Sequence, residues 1–219
     1  NYEFEAMDID GDGDLDLATI NDGPNFAETL LLNDGAGTFT DVSSRVDDFT
    51  NADDNVVVWL DVDSDGDADL LIGSLGTDRL YLNNGAGTFT RATGVTPGDT
   101  PSTLGIAAVD LDGDKRLDLV QGQGEGAEAD KIQLASTAVA VDTAPPVVRF
   151  EVIGGKVFAR VHDHQSPSHV HDWQRVYAVT AGGEVSLAWY GELLWNAAAT
   201  GVTKVCAVDR AGNEGCADV

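Results

Sequence analysis

The chain has 219 residues, 42% of them hydrophobic, which is enough to bury the core of one large domain or two small ones. Its 38 acidic residues against 12 Lys and Arg give a formal net charge of −26, so nucleic acid and anionic lipid surfaces are not expected partners. No apolar stretch approaches the roughly 20 residues of a membrane-crossing helix, so membrane insertion is not expected.

The beginning of the chain shows no secretory leader, and strand-like residues follow Asn1 at once. This start favours a processed product or one part of a longer protein.

An Asp-rich word occurs three times in the first two thirds of the chain. The copies are DIDGDGDLDL from Asp8, DVDSDGDADL from Asp61 and DLDGDKRLDL from Asp110, with starts 53 and 49 residues apart. A second word, LLLNDGAGTFT and then LYLNNGAGTFT, follows the first two copies. A weaker third version, KIQLAST, lacks the Gly-Ala-Gly turn. A repeat of this period is typical of the blades of a β-propeller.

Each repeat predicts four short strands and no helix. In the second repeat the strands are NVVVWLDV, ADLLIGS, DRLYLNN and GTFTRAT, separated by Gly, Asn and Asp. Their apolar runs are nearly continuous rather than alternating, which indicates sheets that are buried on both faces.

The Asp-rich loops have the spacing of a cation site. Ca²⁺ takes six to eight oxygen ligands, and a loop with carboxylates at alternate residues and a sharp turn at glycine can wrap one ion. Counting from the first aspartate, we predict side-chain ligands at positions 1, 3, 5 and 9 and a backbone carbonyl at position 7. The predicted ligands are Asp8, Asp10, Asp12, Asp14 and Asp16; Asp61, Asp63, Asp65, Asp67 and Asp69; and Asp110, Asp112, Asp114, Arg116 and Asp118, with Asp14, Asp67 and Arg116 contributing only their carbonyl.

Other interpretations of the loops fit less well. Mg²⁺ demands stricter octahedral geometry and keeps its waters, and Zn²⁺ prefers His and Cys. A single loop of this kind is also compatible with an Asp- and Gly-rich surface turn, whereas three in register between apolar strands favour two to three Ca²⁺ ions per chain.

The pattern Asp-x-Asp-x-Asp-Gly-x-x-Asp plus an aliphatic residue, at this period and beside NDGAGTF, resembles the FG-GAP/VCBS repeat of integrin-α-type β-propellers over about residues 2–141. The resemblance implies a Ca²⁺ loop between the first two strands of each blade. In the third loop Lys115 replaces the glycine at position 6, so we expect that site to be the weakest or to close by a different path.

Three repeats are too few for a closed ring, because propellers usually have four to eight blades. Two alternatives follow. The chain is a fragment of a longer propeller, or copies join so that neighbours cover each other's open faces in a closed oligomer or a filament.

The word DTAPP marks a stiff linker, which divides the chain into repeats at 1–142 and a second domain at 143–219. Alternating short strands beyond it predict a small β-sandwich. The Pro-Pro start and the closing AVDRAGNEG hairpin resemble bacterial Ig-like modules, whose usual role is spacing, presentation or adhesion. The predicted fold class is therefore all-β, with three propeller-type four-stranded blades in an incomplete propeller plus an Ig-like β-sandwich.

The two cysteines, Cys206 and Cys216, flank DRAGNE and predict a disulfide that staples a hairpin. Two unpaired buried thiols are the alternative. A disulfide favours an oxidising compartment, and hence an extracellular, secreted or cell-surface protein.

All four histidines fall within HDHQSPSHVHD: His162, His164, His169 and His171. If QSPS is a hairpin loop, the four imidazoles converge and suit Zn²⁺ or Cu²⁺. The alternative is an exposed loop whose histidines bind water or Asp163 and Asp172. The aromatic residues of this domain are more readily explained by core packing than by stacking on sugars.

We find no catalytic constellation, so no enzymatic activity is expected. The sequence favours a secreted or cell-surface calcium-binding structural or adhesion protein in which Ca²⁺ stabilises the blades. Expected partners are other protein chains, including copies of itself, and a polysaccharide or cell-surface ligand. The alternative is a catalytic or non-catalytic part of a secreted carbohydrate-active protein of the lectin or polysaccharide lyase type.

Overall fold

The computed structural model describes residues 3–20, 28–47, 52–93, 102–124, 128–163, 173–191 and 193–219. Contacts divide the chain into two compact units, Asn1–Ala140 and Val141–Val219. Within the described residues the fold is all-β, and its one helical element is a 3₁₀ turn at Ser43–Arg45. No helix in these ranges is long and apolar enough to cross a membrane.

The first unit contains three antiparallel sheets, each formed by strands that follow one another along the chain. The first sheet comprises β1 (Glu3–Met7), β2 (Asp16–Ile20), β3 (Thr29–Asn33) and β4 (Phe39–Asp41); the second β5 (Asp54–Leu60), β6 (Asp69–Ser74), β7 (Arg79–Asn83) and β8 (Phe89–Arg91); and the third β9 (Thr103–Val109), β10 (Asp118–Gln123) and β11 (Lys131–Gln133). Each Asp-rich loop joins the first two strands of its sheet.

The third sheet has three strands, so the prediction of a four-stranded blade is wrong for this repeat. The described residues 134–146, which follow β11, contain no strand. This repeat lacks the Gly-Ala-Gly turn that reverses the chain between β3 and β4 and between β7 and β8. Without that turn, the chain does not fold back to add a fourth strand.

The middle sheet is buried on both faces, as its apolar runs predicted. Val57 and Trp59 of β5 pack in a core with residues of the first sheet, whereas the alternate residues Val56 and Val58 pack in a core with residues of the third. Successive side chains of a strand point to opposite faces, so a strand between two cores is apolar throughout.

The outer faces of the first and third sheets are partly open. Phe4 is 66% exposed and Ile132 is 67% exposed, and both are large apolar side chains on strands. The three sheets of the described residues therefore form a stack with two unpacked ends and not a closed ring.

The second unit consists of two four-stranded antiparallel sheets around one core. The strands are β12 (Val147–Ile153), β13 (Lys156–His162), β14 (Trp173–Thr180), β15 (Gly183–Ser186), β16 (Ala188–Gly191), β17 (Leu194–Ala198), β18 (Val202–Asp209) and β19 (Glu214–Asp218). The sheet orders are β12-β13-β17-β16 and β15-β14-β18-β19. Val157 and Ala159 of one sheet share the core with Val205 and Ala207 of the other. The assignment as Ig-like stays a prediction.

A disulfide joins Cys206 and Cys216, which lie directly opposite each other in the hairpin of β18 and β19. Their Cα atoms are 4.1 Å apart. The predicted pairing is confirmed, and the disulfide cross-links the edge strand β19 to its neighbour β18.

An acidic pair is buried between the first two sheets. Glu28, just before β3, and Asp54, at the start of β5, are 4% and 0% exposed. Asp54 is ion-paired with the buried Arg79. Burial raises the pKa of the Glu28 carboxyl to about 8, and the neighbouring charge of Asp54 adds to the shift. Glu28 is therefore largely protonated at neutral pH.

We expect the substitution Glu28→Gln to increase stability progressively as the pH rises. The folded-state pKa of Glu28 lies above its usual value, so its stabilising contribution is complete below about pH 4.5 and is lost as the pH passes through about 8. An amide keeps the neutral form at every pH. Urea denaturation between pH 5 and 9 should show a gap between variant and wild type that widens with pH. Glu128→Gln, at an exposed position of the same unit, is the control, and superimposable pH profiles for Glu28→Gln and wild type would contradict the assignment.

Candidate metal centres

The three loops bring together the carboxylates at positions 1, 3 and 9. In each loop, one oxygen from each of these three residues lies within 4.8 Å of the others. The groups are Asp8, Asp10 and Asp16; Asp61, Asp63 and Asp69; and Asp110, Asp112 and Asp118. Oxygens that share a Ca²⁺ ion lie about 2.3–2.6 Å from it, and so within about 5 Å of one another. These groups could therefore each hold a metal ion.

The aspartate at position 9 closes its loop and ties it to the third strand. Asp16 is fully buried, and its two oxygens accept hydrogen bonds from the amides of Ile9 at 3.0 Å and Asn33 at 2.8 Å. The same pair of bonds recurs at Asp69, from Val62 and Asn83, and at Asp118, from Leu111 and Ala135. This residue is thus a structural anchor as well as a potential ligand.

The aspartate at position 1 orders the turn itself. Asp110 accepts hydrogen bonds from the amides of Gly113 at 2.7 Å and Lys115 at 3.0 Å. Asp61 likewise accepts from Asp65 and Gly66, and Asp8 accepts from Gly11. Each loop therefore winds around its first carboxylate.

The side chain at position 5 lies outside the three-carboxylate groups. Asp12, Asp65 and Asp114 each accept a hydrogen bond from the amide of position 7, at 2.9, 3.0 and 3.0 Å. The predicted roles of position 5 as a side-chain ligand and of position 7 as a carbonyl ligand stay predictions.

The side chain at position 7 makes a contact that sequence reasoning missed. An ideal Cβ at Gly35 would lie 2.2 Å from Oδ2 of Asp14, and one at Gly85 would lie 2.5 Å from Oδ2 of Asp67. These glycines also have positive φ, at +73° and +74°. The glycine that opens each Gly-Ala-Gly turn is therefore required by both its backbone conformation and the neighbouring aspartate.

The third loop replaces this contact with an arginine. Arg116 Nε donates to the carbonyl of Val139 at 2.8 Å, and Nη1 pairs with Asp114 Oδ2 at 2.8 Å. The positively charged side chain at position 7 is therefore bound to Val139 and Asp114, neither of which belongs to the three-carboxylate group.

Two asparagines extend the sites beyond the predicted residues. Asn33 Nδ2 donates to the carbonyl of Leu15 at 3.2 Å. Asn83 Nδ2 donates to the carbonyl of Ala68 at 3.1 Å and to that of Ile9, in the first loop, at 2.8 Å. The second sheet thus contacts the loop of the first sheet directly. The asparagine shared by LLLND and LYLNN was the sequence signal for this role.

Burial makes the ionised loops costly without a counter-charge. It raises the pKa of Asp16 to about 6 and that of Asp69 to about 7, and nearby aspartates in the same loops add to both shifts. A bound cation favours the charged forms and opposes these shifts. Since the side-chain donors are carboxylate oxygens only, the groups fit a hard cation better than a soft one.

A fourth carboxylate group, in the second unit, was not predicted from the sequence. Asp142, Asp163 and Asp209 are 6%, 2% and 0% exposed, and one oxygen from each lies within 4.8 Å of the others. Asn213 Nδ2 donates to Asp142 Oδ1 at 3.2 Å and to Asp209 Oδ2 at 2.9 Å. This group could also hold a metal ion.

The predicted histidine cluster is tested only in part. His162 is buried at the end of β13. His164, His169 and His171 lie outside the described residues, so the convergence of four imidazoles stays a prediction.

Lys115 adopts a left-handed backbone conformation at the position where the other two loops have glycine. Its φ is +67°, and the glycines at the same position of the other loops, Gly13 and Gly66, have φ of +91° and +95°. Lys115 therefore adopts the turn conformation that glycine takes freely. The left-handed region costs a side-chain-bearing residue roughly 1 kcal/mol or more.

We expect Lys115→Gly to stabilise the first unit. Relief of the left-handed conformation outweighs the greater entropy of glycine in the unfolded chain and leaves a gain of about 0.5–1 kcal/mol. Lys115→Ala is the control, because it removes the same charge but keeps a Cβ at positive φ. Urea denaturation should rank glycine above wild type. If alanine stabilises equally, charge and not backbone strain is responsible.

The family comparison agrees with this geometry. The model of the FG-GAP-like repeat family matches residues 8–72 and 61–120, each match running from one aspartate loop through the next. The two matches together cover just over half of the chain. No curated protein matches it. The chain belongs to the FG-GAP-like repeat family.

Proposed function

We propose that this protein is a non-enzymatic, secreted or cell-surface structural protein whose aspartate loops bind two to three Ca²⁺ ions. The observation that carries the proposal is the recurrence of the same three-carboxylate group, with its buried anchor, in all three loops. Ordinary Asp-rich surface turns would not be expected to have a buried carboxylate at the same position in three loops.

The role of the ion is to stabilise the stacked sheets. The carboxylate at position 9 holds the second strand, the loop and the third strand together, and it does so best when ionised. Ca²⁺ stabilises that ionised form and offsets the repulsion between the clustered carboxylates. Because the ion binds the folded loop, its binding raises the free energy of unfolding of the unit. The gain is about 2.7 kcal/mol per site when the free Ca²⁺ concentration is 100 times the dissociation constant.

Ca²⁺ is the favoured ion because of the donor set. Each loop supplies carboxylate and backbone oxygens from one short turn, which suits the variable coordination of Ca²⁺. A magnesium site would retain several waters and need fewer carboxylates, and the loops contain no histidine or cysteine for zinc.

An extracellular setting and protein partners complete the proposal. The Cys206–Cys216 disulfide supports an oxidising compartment. The exposed Phe4 and Ile132 support packing of a further sheet against each end of the stack, from another copy or from another part of a longer protein.

Removal of Ca²⁺ should lower the thermal stability of the chain. We expect EDTA to reduce the Tm by several degrees. Each loop that loses its ion also loses the stabilisation that ion binding gives to the folded state, and its carboxylates again repel one another. Readdition of Ca²⁺ should restore the Tm, and Mg²⁺ at equal concentration should restore less. Circular dichroism melts check this, and an EDTA-insensitive Tm would refute the structural role of the ion.

A single neutral substitution should separate ion binding from folding. Asp63→Asn keeps an oxygen at position 3 of the second loop but removes one charge from its exposed edge. We expect a weaker Ca²⁺-dependent gain in Tm, whereas the Tm in EDTA should be unchanged or raised, because one repelling charge is gone.

The matched control for this variant is Asp47→Asn, an exposed aspartate outside the four carboxylate groups. It should leave the Ca²⁺-dependent gain intact. Differential scanning calorimetry and elemental analysis of calcium per chain measure both effects. An equal loss in the two variants would mean that net charge, not the loop, governs the response.

A further inference from the structure

The three sheets of the first unit pack on one another through the same pair of faces. In each of the two cores, the earlier sheet contributes the face that carries the residue two places after its buried aspartate at position 9, namely Ala18 and Leu71. The later sheet contributes the opposite face, which carries the residue one place after that aspartate, namely Leu70 and Leu119. We call these the front face and the back face. The front face of the third sheet and the back face of the first sheet are left over.

The front face of the third sheet is apolar and open. Leu30, Leu80 and Ile132 hold the same place in their sheets, because each lies opposite the residue two places after the buried aspartate. Leu30 and Leu80 are buried under the following sheet, whereas Ile132 is exposed. Leu111, at position 2 of the third loop, is 48% exposed, while its counterpart in the first loop, Ile9, is 2% exposed. The third sheet therefore presents apolar side chains where the first sheet has a covering sheet.

The back face of the first sheet is the matching open surface. Phe4 and Val57 hold the same place in their sheets, and so do Phe39 and Phe89, the phenylalanines of the two GTF words. Val57 and Phe89 are buried in the core that joins the first two sheets. Phe4 is exposed, and Phe39 is 42% exposed where Phe89 is 1% exposed. This face therefore has the large apolar side chains of a packed sheet and no sheet over them in the described residues.

A polar contact between sheets has its donor and its acceptor on the same two open faces. Asn83 Nδ2 of the second sheet donates to the carbonyl of Ile9, at position 2 of the preceding loop, at 2.8 Å. Asn33 is the equivalent asparagine of the first sheet, and like Asn83 it donates its backbone amide to the buried aspartate of its own sheet. A sheet packed on the back face of the first would place its position-2 carbonyl near Asn33. In the third loop that carbonyl belongs to Leu111.

We propose that two copies of this chain associate head to tail, the front face of each third sheet packing on the back face of the other copy's first sheet. Each chain supplies three sheets, so two copies form a closed ring of six. Propellers usually have four to eight blades, and three copies would give nine. A head-to-tail contact that closes after two copies leaves neither face open. This inference rests on the proposed packing of a further sheet against each end of the stack, and it identifies the source of that sheet.

A contact between two front faces or two back faces fits less well. The contact that occurs twice within the chain joins a front face to a back face. The asparagine donor also lies on one face and the loop carbonyl on the other, so they meet only in that arrangement. The charge of the first unit opposes any association, since residues 1–140 contain 29 acidic residues against six Lys and Arg. Salt screens this repulsion, so the dimer should be tighter at physiological ionic strength than at low salt.

The test measures the mass of the calcium-loaded full chain by sedimentation velocity and native mass spectrometry. We expect a dimer as the largest species, at every concentration from low to high micromolar. Phe4→Glu and Ile132→Glu should each give monomers, because each places a charge within an apolar face that both contacts of the ring require.

A mixture of the two variants should form a dimer again. The intact front face of the Phe4→Glu copy can pack on the intact back face of the Ile132→Glu copy, and isotope labelling of one copy identifies the heterodimer. Its formation also shows that both variants are folded. Because this dimer has one contact instead of two, it should dissociate more readily than the wild type.

Ile153→Glu is the matched control, since it makes the same change at an exposed isoleucine of the second unit. It should remain dimeric. A monomeric wild type, species that grow beyond the dimer with concentration, or a dimer lost in only one of the two face variants would each overturn the proposal. Failure of the mixture to associate, or an equal loss with Ile153→Glu, would do the same.

The dimer and the calcium proposal can fail separately. A monomeric chain whose Tm still falls in EDTA would overturn the dimer and leave the structural role of calcium in place. A dimeric chain whose Tm ignores EDTA would have the opposite meaning.

Discussion

A buried carboxylate with both oxygens bound to backbone amides is the interaction on which each repeat depends. Asp16 connects the second position of its loop to the end of the third strand, two segments that no backbone ladder joins there. The bonds are strongest when the group is charged. Burial disfavours that charge, and it raises the pKa of Asp16 to about 6 and that of Asp69 to about 7. The anchor also lies within the carboxylate group, where a cation would favour its charged form and so reconcile the two demands.

The buried aspartates hold the loop and strands together within each sheet, and a different set of polar contacts joins one sheet to the next. Asn83 of the second sheet reaches the carbonyl of Ile9 in the first loop, and Asp78 accepts from Thr103 and Gln121 of the third sheet. These bonds cross the same boundaries as the two apolar cores. Because they are buried and directional, they specify how the sheets stack, whereas the cores supply most of the stabilisation.

The features that could be predicted from the sequence are those encoded locally. The clustered carboxylates at positions 1, 3 and 9 follow from the spacing of the aspartates, and the strands of the second repeat follow from runs of adjacent apolar residues. The division of residues 183–191 into β15 and β16 at Leu187 could not be predicted, since it depends on which sheet each strand joins. The same holds for Asp142, Asp163 and Asp209, which are distant in sequence and meet only through the sandwich topology.

In the third repeat, two departures from the pattern occur together: the residue at position 7 and the missing glycine turn. In the first two repeats, the aspartate at position 7 lies against the glycine that opens the Gly-Ala-Gly turn. In the third, position 7 is Arg116 and the glycine turn is absent together with the fourth strand. Once the turn is lost, nothing requires a short acidic side chain at that position, and an arginine can extend to the carbonyl of Val139 instead. The loop keeps its anchor, Asp118, with the amide of Ala135 in the place of the asparagine amide. The anchor and the carboxylate group are therefore present in a repeat that has no fourth strand, which supports a role for the loop in its own right.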